Sequence, residues 1–435
     1  MDSVIAVIQA GGKGTRMLSL TGDKIPKPLL SLDGKPMIQW QIEAVSRYGI
    51  DHFVIITGHL GEKIKDYFGD GSELGVAIDY IEEKEPLGSA GALYYLKDYP
   101  ADQYLLIFGD VMFDMDLERF LRFHDSKNAL ITLTLHPNAH PYDSDLVVCD
   151  SDDRVCEILS KKEERTEWYA NLVNAGLFIV DKKIIAEFTR AEKRDWEADV
   201  VRSHLADSVY GYRTSEYIKD VGTPERFKKA EAERRAGLWN RKNLSNKQRC
   251  IFLDRDGTVN KYVGLVDAPE KLELYEDAAE AVRFINESGY LAIVVTNQPV
   301  VARGMCSEED VRTIHKKMET LLGREGAYLD DIAFCPHHPD KGYPEENPDY
   351  KIVCSCRKPK TGLIDKMVEK YNIDLTKSYM VGDTTMDIQT GINAGLHTVL
   401  LHTGEAGGDG KYDVTPEFEA DNILGAVNLI IQKEG

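Results

Sequence analysis

Long apolar runs are missing from this sequence. The stretch Val4-Ile5-Ala6-Val7-Ile8 has no basic flank and falls far short of the ~20 residues of a membrane span, so neither a signal peptide nor an anchor is expected and the chain reads as cytoplasmic. Positive charge is also scarce: 53 Lys and Arg face 73 Asp and Glu, a formal net charge of −20. Such a surface repels phosphate backbones, which argues against nucleic acid as a partner while leaving room for local basic pockets that hold small anions. Cysteine is sparse and odd in number, seven in all, which does not suit a disulfide framework. Three of the seven cluster with histidines between Cys335 and Cys356, and in a reducing compartment that favours a metal site. No repeat of 20–50 residues is visible, and the one biased stretch, the glycine-rich 404–410, reads as a surface loop.

What is present is an ordinary globular composition, 43% apolar and 29% charged, in 435 residues, a length that favours two large domains. Short apolar runs at 4–8, 53–57, 104–108, 250–253, 291–296 and 379–381 alternate with amphipathic stretches. The expected class is therefore α/β, with two domains that are each a mainly parallel sheet flanked by helices. Residues 225–249 are rich in charge and alanine, a helix followed by a polar linker. The division expected is 1–235, a linker at 236–248, and 249–435.

In the first half, the run at 4–8 enters Gln9-Ala10-Gly11-Gly12-Lys13-Gly14-Thr15-Arg16, where glycines let backbone N–H groups approach an anion such as a triphosphate. The spacing is neither that of a dinucleotide-binding turn nor that of a Walker loop. In Pro26-Lys27-Pro28 two prolines stiffen the chain around a lysine that could neutralise charge developing on a phosphate. Joined with Gly34-Lys35-Pro36-Met37, these motifs resemble the signature of the sugar-1-phosphate nucleotidyltransferases. The likeness continues through Glu85-Pro86-Leu87-Gly88-Ser89, Phe108-Gly109-Asp110, Asn174-Ala175-Gly176 and Asp220-Val221-Gly222. The resemblance implies a Rossmann-like fold in which Gly11, Gly12, Gly14, Thr15 and Arg16 wrap the nucleotide phosphates and Lys27 stabilises the transition state. It further implies that Gly88 and Ser89 face the base and ribose, that Asp110 and Asp220 hold Mg²⁺, and that Asn174 and Gly176 meet the sugar. Lys161 or Lys162 would meet the sugar's phosphate.

In the second half, Asp254 and Asp256 follow the run at 250–253, two acids that repel each other unless a cation lies between them. Thr296-Asn297, Arg357-Lys358 and Val381-Gly382-Asp383 follow in order, and together these resemble the four motifs of haloacid-dehalogenase-like phosphatases, again Rossmann-like. The resemblance implies that Asp254 attacks phosphorus, Asp256 protonates the leaving oxygen and then activates water, and Thr296 and Lys358 neutralise the phosphoryl group. Mg²⁺ would be held by Asp254, Asp383 and the Asp256 carbonyl, with Asp387 in support. Cys335-Pro336-His337-His338 and Cys354-Ser355-Cys356 offer ligands in two short groups, as a closed zinc site requires. With Asn297-Gln298 and Ala302-Arg303-Gly304, this insert is similar to that of heptose bisphosphate and histidinol-phosphate phosphatases. By that likeness Cys335, His337, Cys354 and Cys356 are the Zn²⁺ ligands, and Arg303, Arg357 and Asn297 line the substrate site. Pro299-Val300-Val301 stands where such phosphatases carry Ser-Gly-Ile.

The expectation is a bifunctional enzyme of nucleotide-sugar synthesis, taking an NTP and a sugar phosphate. The phosphatase would remove the distal phosphate of a heptose 1,7-bisphosphate, and the transferase would join the 1-phosphate to GTP for surface polysaccharide. Alternatives are CTP or another NTP with a different sugar or polyol phosphate, and a nucleotide-sugar-binding regulator fused to a histidinol-phosphate-type phosphatase. A homo-oligomer is compatible with the sequence.

Overall fold

The six apolar runs are all strands, and their near-continuous burial is that of parallel strands covered on both faces. The computed structural model describes residues 3–342 and 345–434. It divides into two units, one formed by the chain up to residue 136 with 147–159 and 174–243, the other by 137–146, 160–173 and the chain from 244 onward.

In the first unit, Val4–Ala10 lies between Gln103–Phe108 and His52–Thr57, parallel to both, and Ala77–Glu82 extends the sheet in the same direction. The C-terminal ends of these strands therefore share one edge, where ligands of open α/β sheets bind. The sheet is mixed rather than wholly parallel: Val173–Asp181 runs antiparallel to Gln103–Phe108. Val111–Asp114 and Tyr217–Asp220 form a separate antiparallel ribbon that sets Asp220 opposite Val111. After helix Pro224–Arg235, a second short helix, Leu238–Lys242, brings Trp239 onto Tyr217 with ring centroids 4.9 Å apart.

The second unit holds a six-stranded, all-parallel sheet in the order Asp331–Cys335, Leu291–Asn297, Cys250–Leu253, Tyr379–Gly382, His397–Leu401, Phe418–Ala420. Apolar clusters cover both faces, one including Ile251, Val294 and Ile430, the other Phe252, Ile293 and Met367. Residues 160–173 join this unit along helix Glu308–Arg324, where the Tyr169 N–H donates to the Thr320 hydroxyl at 3.1 Å.

Candidate active sites

The first cleft, of about 420 Å³, opens at the shared strand ends and is lined by Gly11, Gly12, Gly14, Thr15, Arg16, Lys27, Glu83, Gly88, Ser89 and Asp110. Positive φ favours glycine at Gly14 and Gly88, and a Cβ on Gly88 would lie 2.4 Å from the Arg194 carbonyl oxygen. Gly14 has φ +60° and a Cβ there would lie 3.1 Å from the Lys27 Cβ; a Cβ on Gly11 would lie 2.3 Å from Glu83 Oε2. Lys27, in a short turn after Pro26, donates from Nζ to Asp110 Oδ2 at 2.8 Å. The Val221 N–H donates to the Asp110 carbonyl at 2.8 Å, so the backbone holds Asp110 and Asp220 side by side at the strand ends. Asp220 accepts from Arg226 Nη1 at 2.9 Å and from the Gly222 N–H. Gly222 leaves room for Arg16, whose Nη2 would lie 2.9 Å from a Cβ there. Two carboxylates beside a phosphate cradle suit Mg²⁺, which takes one or two protein carboxylates and completes its shell with phosphate and water.

Ser89 turns its hydroxyl away from this cradle, donating to Asp195 Oδ2 at 3.0 Å and accepting from the Trp196 N–H at 2.8 Å, while its carbonyl accepts from Gln9 Nε2. Asn174 Oδ1 accepts the N–H of Gly176, which has φ +76°. Lys161 and Lys162 are exposed in segment 160–173 of the second unit, and the Lys161 N–H donates to Asp145 Oδ1. Glu83 belongs to none of the sequence motifs. Burial raises its pKa, one oxygen accepts the Leu87 N–H, and no cation pairs with it among the described residues.

In the second unit, Asp254 and Asp383 follow the strands Cys250–Leu253 and Tyr379–Gly382, and Thr296 is the penultimate residue of the strand Leu291–Asn297. Asp254, Asp383 and Asp387 are buried, with carboxylate oxygens within 4.8 Å of one another. Lys358 Nζ bridges two of them, at 2.9 Å from Asp254 Oδ1 and 2.6 Å from Asp387 Oδ1. Burial, then repulsion from Asp387, pushes Asp254 up to about 6 against the pull of Lys358; burial, then Asp254 and Asp387, pushes Asp383 up to about 8. Asp383 Oδ1 has no hydrogen-bond partner. Buried acids this crowded, with one oxygen left over, fit a hard divalent cation.

The Asp256 carboxylate stands apart from that trio, accepting from Arg255, Asn260 Nδ2 and Gln298 Nε2. Gln298 also donates to Thr296 Oγ1 at 3.0 Å, and Asn297 Oδ1 accepts the Lys358 N–H at 3.0 Å. The glycine-rich stretch 404–410 does more than a surface loop: the Glu405 N–H donates to Asp383 Oδ2 and the Gly407 N–H to the Asp383 carbonyl. Arg303 follows the buried Val300 and Val301, and its charge adds to the burial that lowers the pKa of Arg357 and His338. The sequence pair Asn297-Gln298 assigns no role to Gln298, and nothing in the sequence marks Arg255 or the 404–410 backbone as part of the site.

Cys335, Cys354 and Cys356 bring their sulfurs within 3.2–3.5 Å of one another, and His337 Nδ1 lies 3.6 Å from Cys335 and 3.4 Å from Cys356. Metal–ligand bonds of ~2.3 Å to sulfur and ~2.0 Å to nitrogen give tetrahedral edges of about 3.5–3.8 Å, so this donor set fits a closed site. The neighbouring Cys335, Cys354 and His337 pull the pKa of the Cys356 thiol down, against burial. His338 points elsewhere, its Nδ1 accepting the Asp340 N–H. The His337 carbonyl accepts from Arg357 Nη1 at 3.1 Å, which ties the cluster to the residue before Lys358.

A nucleotidyl transferase family model matches residues 5–236, and a HAD-hydrolase-like model matches residues 355–426. The chain is 33% identical over 239 residues to a mannose-1-phosphate guanylyltransferase of Mycobacterium tuberculosis; the match covers 54% of this chain and 66% of that protein, just under two thirds of its length. It is 40% identical over 172 residues to a D-glycero-beta-D-manno-heptose-1,7-bisphosphate 7-phosphatase of Yersinia pestis, covering 39% of this chain and 86% of that protein. The corresponding phosphatase of Escherichia coli (strain K12) is 38% identical over 181 residues, with 41% and 89% covered.

Proposed function

The chain belongs to the nucleotidyl transferase family through its N-terminal half and to the family of the D-glycero-beta-D-manno-heptose-1,7-bisphosphate 7-phosphatases through its C-terminal half, and on this premise we propose that it catalyses two consecutive steps of GDP-heptose synthesis. It is a bifunctional enzyme of nucleotide-sugar synthesis. The observation that carries the reading is a pair of separate acid–lysine centres, Lys27–Asp110 and Lys358–Asp254, each at the C-terminal edge of its own sheet.

In the phosphatase, Asp254 attacks the distal phosphorus, the bond to the sugar oxygen breaks, and Asp256 gives that oxygen a proton. Asp256 then takes a proton from water as it attacks the aspartyl phosphate, releasing orthophosphate and freeing Asp254. Lys358 and Thr296 offset the phosphoryl charge, and Arg303 and Arg357 receive the rest of the anionic substrate. Asp254, Asp383 and the Asp256 carbonyl would hold Mg²⁺, which supplies charge neutralisation on phosphoryl oxygens. Cys335, His337, Cys354 and Cys356 would hold Zn²⁺ as a brace for the loop that presents Arg357 and Lys358.

In the transferase, the N–H groups of residues 11–16 and the Arg16 guanidinium grip the triphosphate. Lys27 offsets charge at the α-phosphorus as the sugar phosphate displaces pyrophosphate. Asp110 and Asp220 would hold the cation, and Asn174, Gly176 and Lys161 the sugar phosphate. Glu83 favours GTP among the nucleotides. It lies beside Gly11, and a carboxylate among phosphate-binding groups needs a donor-rich partner. Guanine offers two donors together, N1–H and the 2-amino group, where uracil and thymine offer one. The test is a matrix of four NTPs, with ITP added, against sugar and polyol phosphates, scored by mass spectrometry. GTP with a heptose 1-phosphate should turn over fastest, and ITP, lacking the 2-amino group, about tenfold or more slowly. CTP with an alditol phosphate as the best pair would replace this reading.

A further inference from the structure

The phosphatase centre contains a buried cation that its chemistry has not used. Arg255 has no exposure at all, although it sits between the two acids that do the work. Its Nη2 donates to both oxygens of Asp256, at 3.0 and 2.8 Å, and its Nε adds a contact to Oδ1 at 3.2 Å. On its far side Nη1 lies 3.3 Å from Nε2 of His315, which projects from helix Glu308–Arg324 and is itself 5% exposed. A guanidinium only donates, so the accepting His315 nitrogen carries a lone pair and its proton sits on Nδ1. Burial, then the charges of Arg255 and Arg312, hold the His315 pKa well below its ordinary value, in keeping with a neutral ring. The Phe334 ring meets His315 edge-on at 5.3 Å and limits its rotation.

We propose that Arg255 and His315 are positioning residues for Asp256: His315 fixes the guanidinium plane, and the guanidinium fixes the carboxylate that serves as proton donor and then base. The inference rests on the acid–base reading of Asp256 given above. Its physical basis is that a planar fork sets both the place and the plane of a carboxylate, whereas the single bonds from Asn260 and Gln298 leave it free to turn. A carboxylate misplaced by about 1 Å loses most of its use in proton transfer while leaving the nucleophile and the phosphoryl pocket intact.

The test uses leaving-group chemistry on the full-length, metal-loaded enzyme. Cleavage of p-nitrophenyl phosphate releases a phenolate that needs no proton, so formation of the aspartyl phosphate proceeds without Asp256, whereas its hydrolysis requires the base. For His315→Leu the expected result is a burst of p-nitrophenolate within about threefold of the wild-type rate, then a steady state slowed about tenfold or more. On a sugar bisphosphate kcat should fall by a similar factor with KM nearly unchanged. His315→Gln, which returns an acceptor to Arg255, should restore most of the loss. Asp256→Asn is the control for the underlying reading: without the same burst and stall there, Asp256 is not the acid–base group. If Asp256→Asn shows that signature and His315→Leu keeps wild-type kinetics, or slows burst and steady state alike without rescue by glutamine, the positioning role is overturned.

Discussion

Asp254 and Lys27 each stand in one of two unrelated chemical centres, so replacing either should separate the activities. Asp254→Asn keeps the shape of the side chain but removes the attacking carboxylate. Phosphatase turnover should drop to background, and pyrophosphate release should stay within about threefold of wild type, as for sites with no shared partners. Lys27→Ala should do the reverse, lowering pyrophosphate release about 10²–10³-fold. Loss of both activities in either variant would contradict separate sites. A second residue-scale prediction concerns His124, buried in helix Leu117–Lys127 with Nδ1 2.8 Å from Thr132 Oγ1. Burial lowers its pKa from 6.5 to about 4. Between those values the unfolded chain binds a proton that the native state refuses, so the contribution is whole above pH 6.5 and is lost as pH falls toward 4, amounting to about 3 kcal/mol. Urea denaturation of the wild type should show a steeper loss from pH 7 to 4.5 than His124→Gln, and equal slopes would refute the assignment.

Among the elements, the Cys335–Cys356 loop carries a donor set, Cys335, His337, Cys354 and Cys356, that could hold a metal ion. Removing zinc, or Cys354→Ser, should loosen the loop and with it Arg357, whose guanidinium is tied to the His337 carbonyl. The expected readout is about one zinc per chain by metal analysis, and in Cys354→Ser a lower kcat with pyrophosphate release unchanged. A fully active, stable enzyme free of zinc would sink the bracing role. This loop was legible in the sequence because thiolate and imidazole spacing is a local pattern, as were the strands at 4–8 and 250–253, whose apolar runs are dictated by burial on both faces. The elements that escaped are defined by backbone or by distant partners. The 404–410 stretch grips Asp383 through main-chain N–H groups, which leave no side-chain signature. His315 lies on the buried face of an amphipathic helix, where a single histidine looks like any other core-facing residue. The Val173–Asp181 strand turns the first sheet antiparallel through a pairing about 70 residues distant in sequence, which no local period encodes.

At the scale of the whole molecule, the two proposed reactions have a fixed order. On the proposed function the phosphatase would cancel a terminal phosphoryl dianion, whereas the transferase would need the anomeric phosphate as its nucleophile, so a phosphatase that attacked the 1-phosphate would destroy the second enzyme's substrate. Both sites hold their acids next to lysines, and neither site lends the other a reacting group in this reading. The most direct measurement is phosphorus NMR of the full-length enzyme with a heptose 1,7-bisphosphate and Mg²⁺, first without GTP and then with it. The distal resonance should disappear into orthophosphate while the anomeric resonance persists, and GTP should then convert the anomeric signal to a sugar-linked diphosphate with release of pyrophosphate. Disappearance of the anomeric phosphate first would contradict this order.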